Sequence, residues 1–161
     1  MKNFFAAILA ACLLLTNVAS AEVKIDRENL IRSALAVQAN SYAPYSNFNV
    51  AAAVLCDSGK IYTGVNVENA AYSPGVCAER NAICHAAAEG ERRIIAIAIV
   101  GGLHGANADY CPPCGICRQV MREFAVPENF LIIMAKTPSD YVEKTLAELF
   151  PMSFGPDNLK E

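Results

Sequence analysis

The sequence lacks tryptophan, lacks a basic surplus, and lacks any apolar run long enough to cross a membrane. Lysine and arginine number 13 against 16 aspartates and glutamates, a formal net charge of −3. A protein that grips a phosphate backbone usually carries an excess of positive charge. Its absence disfavours nucleic acid as a partner and favours a small, uncharged one. The longest apolar run, Phe4 to Leu15, spans 12 residues, whereas a membrane-spanning helix needs about 20. There is no internal repeat, low-complexity tract or linker, and 161 residues suit one domain with a sizeable core. An apolar content of 54% argues against disorder.

The apolar run is placed where it carries meaning. It follows a weakly basic start, Met1-Lys2-Asn3, and precedes Val18-Ala19-Ser20-Ala21, an A-x-A-like cleavage site. This is the layout of a secretory signal peptide cleaved after Ala21. Residues 1–21 are therefore expected to be a signal peptide and 22–161 a single domain, secreted or periplasmic. The alternative is an uncleaved N-terminus and a cytoplasmic protein. Loss of Lys2 would leave 12 basic and 16 acidic residues, a net of −4.

Local patterns divide the rest of the chain. Asp26 can cap a helix reaching Asn40, with Leu30, Ile31, Ala34, Leu35 and Val37 on or near its buried face. Ser41 to Asn47, with Pro44, reads as a loop. Phe48 to Cys56 and Lys60 to Val67 read as strands joined at Asp57-Ser58-Gly59. Beyond the breaker Ser73-Pro74-Gly75, Cys77 to Glu89 has helical composition and Gly90 ends it. Ile94 to Val100 is continuously apolar, as in a strand buried on both faces. Gly101 to Asp109 reads as a loop, Cys114 to Phe124 as a helix behind Pro112-Pro113, and Phe130 to Ala135 as a strand. Thr145 to Leu149 is expected to be a short helix, and Pro151 to Glu161 an extended tail. Helices interleaved with strands give an α/β sandwich around one sheet.

Seven cysteines punctuate this pattern, at 12, 56, 77, 84, 111, 114 and 117. Secretion would allow disulfides, but Cys111, Cys114 and Cys117 recur every three residues, which reads as metal ligation. Cys77-Ala78-Glu79 and Pro113-Cys114-Gly115-Ile116-Cys117 each place a cysteine just after a breaker, at an expected helix N-terminus. Unpaired N–H groups and the helix dipole favour thiolates there. Three protein ligands, Cys77, Cys114 and Cys117, with a fourth position open make a catalytic zinc site, whereas structural sites are closed with four. Cys111 is the best spare ligand for a closed site. Zinc nucleobase deaminases carry a ligand-x-Glu followed by P-C-x-x-C, with the glutamate as acid and base, and the sequence fits that pattern with Glu79 in the acid–base position.

With these blocks the chain resembles the small, three-cysteine cytidine deaminases. The resemblance runs through Tyr42–Phe48, Tyr62–Ala70, Cys77–Arg80, Pro113–Val120 and Ser153–Asp157. It implies a three-layer α/β/α fold around a mixed, about five-stranded sheet. It also implies one zinc ion per subunit and a homotetramer with shared active sites. The implied reaction is zinc-dependent hydrolytic deamination of cytidine and deoxycytidine in pyrimidine salvage. Asn66 and Glu68 match the pair that hydrogen-bonds the ribose 3′-hydroxyl, and two residues apart on a strand would share a face. Phe48 matches the phenylalanine packed on the cytosine ring, and the backbone at Ala78 is expected to hold the pyrimidine carbonyl. Tyr72 and Phe154 match residues that reach a neighbouring subunit's pocket. Arg80 matches an arginine that donates to the ligating sulfurs and offsets their excess negative charge. The chain departs from the family at Asn49-Val50-Ala51, at Ala71 and at Ser73-Pro74-Gly75, all flanking the expected pocket. Two other readings stand beside this one: a related small-molecule aminohydrolase such as a blasticidin S deaminase-like enzyme, and a secreted zinc-binding protein without catalysis.

Overall fold

A computed structural model describes residues 23–159. The expected signal segment lies outside the described residues. Helix α1, Arg27–Val37, starts where the Asp26 carboxylate accepts the N–H of Asn29 at 3.0 Å. It closes in a 3₁₀ turn, Gln38–Asn40. What holds α1 in place is its buried stripe of Leu30, Ile31 and Ala34. Each large apolar side chain contributes roughly 1.5–3 kcal/mol. The exposed Arg32–Glu28 pair on its outer face is worth only about 0.3–0.5 kcal/mol.

Strands β1 (Phe48–Cys56) and β2 (Ile61–Val65) form an antiparallel hairpin whose turn uses Gly59 at a φ of +84°. Helix α2 (Ala78–Ala88) follows, then β3 (Ile94–Leu103), α3 (Gly115–Phe124), β4 (Leu131–Thr137), β5 (Asp140–Thr145) and the single turn α4 (Leu146–Leu149). The strand order is β2-β1-β3-β4-β5. The β3–β4 pair is parallel and the others antiparallel, so the sheet is mixed and has five strands.

Strand alternation sorts the core into two layers. Ala51, Ala53, Leu55, Ala96, Ala98, Val100, Ile133 and Ala135 face α1. Ala52, Val54, Ile97, Ile99, Ile132 and Met134 face the opposite layer, where Ala78, Ala82, Ile83 and Ala86 of α2 and Cys117 and Met121 of α3 meet them. The fold is therefore the three-layer α/β/α sandwich. On the second face, α2 lies directly on β2. A Cβ added at Gly64 would sit 2.3 Å from Ala82 N and 2.7 Å from Ala78 O.

Several local expectations change. Strand β3 continues past Val100 through Gly101-Gly102 to Leu103, because these residues pair with Val50, Asn49 and Phe48. Gly102 is small because the returning loop lies on it, and an added Cβ would meet Ala106 O at 1.8 Å. Strand β5 was not expected from its own residues. Asp140-Tyr141-Val142-Glu143-Lys144-Thr145 forms a half-exposed edge strand with no apolar alternation. The tail is not extended throughout, since Pro156–Leu159 forms a 3₁₀ turn. Among the described residues no helix is long and apolar enough to cross a membrane.

Candidate active site

Two helix starts build the centre. Cys77 is the N-cap of α2 and Cys114 the N-cap of α3, both in extended backbone. Cys117 lies in the first turn of α3 and is buried. The sheet and the packing of α2 and α3 on one face bring together thiols 37 residues apart. Cys77 Sγ lies 3.9 Å from Cys114 Sγ, which lies 3.4 Å from Cys117 Sγ. All three sulfurs fall within 4.8 Å of one another. A tetrahedral zinc ion with bonds of about 2.3 Å to sulfur separates its ligands by about 3.8 Å, so the thiol set fits zinc. Cys111, the spare ligand for a closed site, is not part of the cluster. Its sulfur instead covers Gly101 of β3, where an added Cβ would sit 2.8 Å from it.

The groups around Cys77 favour its thiolate. A hydrogen bond from Cys117 lowers the Cys77 thiol to about 5, with further hydrogen bonds from Arg80 and Cys114 acting the same way. Cys117 itself is pushed up by its bond to Cys77 and by burial. Arg80 reaches the Gly75 carbonyl at 3.0 Å and Cys77 Sγ at 3.9 Å through Nη2. Burial opposes its charge, but Cys77 and Cys117 outweigh that and keep the guanidinium protonated. Arg118, which sequence reasoning left without a role, ties the second half-site to the end of α4. Its Nε donates to Pro113 O at 2.8 Å and its Nη1 to Leu149 O at 2.9 Å.

Glu79 sits in the first turn of α2 and is 4% exposed. Burial raises its carboxyl above the ordinary glutamate range, and the negative charge on Cys77 pushes the same way. A buried carboxyl beside the thiols is placed to take up and give back a proton.

A cavity of about 510 Å³ opens beside these groups. Its wall includes Cys77, Ala78, Glu79 and Cys114 from the metal side, and Tyr45, Ser46, Asn66, Glu68 and Tyr72 from the other. Asn66 and Glu68 share the cavity, flanking Val67, which continues the extended chain beyond the end of β2 through bridges to Tyr42 and Val76. Asn66 is held by the start of β1 and Glu68 by the loop leading into it. Asn66 Oδ1 accepts Val50 N–H and its Nδ2 donates to Phe48 O, each at 2.9 Å. Glu68 accepts the N–H groups of Tyr45 and Ser46 and the Ser46 hydroxyl. Tyr72, 84% exposed and at a φ of +59°, stands at the mouth with its ring 6.5 Å from that of Tyr45. Phe48 and Phe154 lie outside the wall of this cavity, at 37% and 60% exposure. Phe154 is carried on the tail, where Gln119 Nε2 donates to its carbonyl at 3.1 Å. Sequence reasoning missed Ser46 and Val50 as wall residues, although Ser46 lies inside the Tyr42–Phe48 block.

A three-layer α/β/α fold whose two helix starts converge on three thiols, with a buried carboxyl one turn away, defines a zinc hydrolase centre. Residues 24–133 match the cytidine and deoxycytidylate deaminase zinc-binding region. A cytidine deaminase of Halalkalibacterium halodurans is 38% identical over 137 residues, 85% of this chain and all of that protein. One from Mycobacterium tuberculosis is 40% identical over 132 residues, 81% of this chain and 92% of that protein. The crystal structure of a cytidine deaminase from Burkholderia pseudomallei superposes with a TM-score of 0.72 at 39% identity, covering 81% of this chain and all of that one. The chain belongs to the cytidine deaminase family of enzymes.

Proposed function

We propose that the chain hydrolytically deaminates cytidine and deoxycytidine to uridine and deoxyuridine, releasing ammonia for pyrimidine salvage. It does so with one zinc ion per subunit, in a homotetramer whose subunits share active sites. The observation that carries the reading is a buried glutamate beside three converging thiols at the floor of a nucleoside-sized cavity. Among the described residues no lysine or arginine lines that cavity, which supports an uncharged nucleoside over a nucleotide.

When bound by Cys77, Cys114 and Cys117, zinc supplies a Lewis acid that lowers the pKa of water toward about 7. The chain's own groups do the rest. Glu79 takes a proton from the attacking water and delivers it to ring N3 as oxygen adds to C4. It then hands the second water proton to the amino nitrogen as ammonia leaves. Arg80 withdraws charge from Cys77 and Cys117. The Ala78 backbone holds the pyrimidine carbonyl, Phe48 packs on the ring, and Asn66 and Glu68 take the ribose. Phe154, exposed and outside its own chain's cavity, completes the pocket across a subunit boundary, and Tyr72, exposed at the mouth of its own cavity, reaches across the same boundary. The proposal includes export with cleavage after Ala21, supported by the Phe4–Leu15 run and its A-x-A-like end. N-terminal sequencing of fractionated protein checks it.

The deciding experiment is an ultraviolet assay of cytidine turnover on the chain beginning at Glu22, with metal content measured in the same sample. Turnover is expected to track zinc. A zinc-loaded protein that leaves cytidine untouched sinks the reading.

A further inference from the structure

Glu68 faces the cavity, yet most of its carboxylate is already engaged by its own chain. Its Oε2 accepts the N–H of Tyr45 at 2.9 Å and of Ser46 at 3.2 Å, and its Oε1 accepts the Ser46 hydroxyl. An ionised carboxylate offers about four lone-pair directions, and the loop fills three of them. The hydroxyl has no freedom to turn away. It accepts the N–H of Phe48 at 3.0 Å, which commits its proton to Glu68.

We propose that Ser46 is a positioning residue for sugar recognition: by occupying one side of Glu68 Oε1, it leaves a single acceptor direction in the cavity, matched to one hydroxyl. The inference rests on the reading of Glu68 as a ribose ligand and adds the group that makes it selective. A site built around a fixed acceptor rejects an analogue lacking the matching hydroxyl, because the acceptor is then left unpaired. A carboxylate free to rotate, with spare lone pairs open to water, discriminates less. The hydrogen bonds surrounding Glu68 also hold its carboxyl below the ordinary range, the Ser46 hydroxyl foremost, so the acceptor is charged and the bond it offers is the stronger kind.

The test is steady-state kinetics of the zinc-loaded chain and its Ser46→Ala and Ser46→Thr variants on cytidine and 3′-deoxycytidine. Ser46 is exposed, so both variants are expected to fold, and threonine keeps the hydroxyl with room for its methyl. For Ser46→Ala the expected result is a rise of about tenfold in KM for cytidine, the value of one charge-assisted hydrogen bond. Its kcat should stay within about twofold, and KM for 3′-deoxycytidine should be unchanged, so that the preference between the two collapses. Ser46→Thr should restore the preference. An alanine variant that keeps the wild-type preference, or that loses both substrates equally, overturns the role of Ser46 alone. A wild-type enzyme that turns over both nucleosides equally removes Glu68 from the sugar and takes this inference with it.

Discussion

The two sides of the cavity are built differently. On the metal side, Cys77, Glu79 and Cys117 are anchored in helices packed on the sheet, and Glu79 and Cys117 are buried. On the opposite side Tyr45 and Tyr72 remain exposed, as do Phe48 and Phe154 outside the wall, while Glu68 is held by the Tyr45-Ser46 loop and Asn66 by the start of β1. One chain therefore completes the groups that do chemistry. The groups that would enclose a base and a sugar are left open at the surface. Glu79 and Cys117 are fixed by core packing and Cys77 and Cys114 by the helix starts that carry them, whereas the opposite wall depends on exposed loops and on whatever covers them.

The comparison can be broken at several depths. Cys114→Ala should have the largest effect, losing zinc and all measurable turnover, as metal analysis and the cytidine assay on the purified variant would show. Glu79→Gln should keep its zinc while kcat falls at least ~10²-fold, the low end for a positioned acid–base group. Gly64→Ala forces a Cβ against the backbone of α2. Overpacking of this kind costs about 1–3 kcal/mol, so the melting temperature should fall by roughly 3–10 °C. Activity should decline with it, because Cys77 and Glu79 ride on that helix. Phe154→Ala lies on the open side and should leave zinc content and melting temperature alone. It should raise KM for cytidine by roughly tenfold, about 1.4 kcal/mol of lost contact. If it instead abolishes zinc binding, the two sides are not separable as described.

The smallest effect is on pH dependence. The Ser46 hydroxyl, helped by the Tyr45 and Ser46 N–H groups, depresses the Glu68 carboxyl. A depressed carboxylate stays ionised to lower pH. The acid rise in KM that comes from protonating Glu68 should therefore begin below the pH at which an unperturbed glutamate would give it. In Ser46→Ala the acid rise in KM should begin at a higher pH. Coincident profiles for the two proteins would show that the hydroxyl does not hold the charge.

How legible each part was follows from the range of the forces involved. The helix starts at Cys77 and Cys114 were readable because Ser73-Pro74-Gly75 and Pro112-Pro113 act within a few residues. Strands β1 and β4 were readable from apolar runs. Strand β5 was not, because an edge strand half-buried along its length shows no alternating burial and is held by backbone pairing to β4. Gly101-Gly102 read as a loop for the opposite reason. Their composition signalled flexibility, while the actual cause is close packing against Cys111 and Ala106. Asn66 and Glu68 were placed together by their spacing, and in the structure they flank the bridged Val67; their side-chain settings were not readable. Hydrogen bonds to the Tyr45–Val50 segment fix them, and no local period encodes those.

The sequence alone determined the chemical kit: three cysteines and a glutamate, spaced so that each group sits at or just inside a helix start. Helix starts and ligand spacing are short-range properties of the chain. Only the tertiary structure decided that Cys77 meets Cys114 and Cys117 while Cys111 stays out of the cluster and packs on Gly101. It also decided that Glu68 has one acceptor direction left. These outcomes depend on how α2 and α3 pack on one face of the sheet and how a loop closes on β2. Contacts between distant segments of the chain set both.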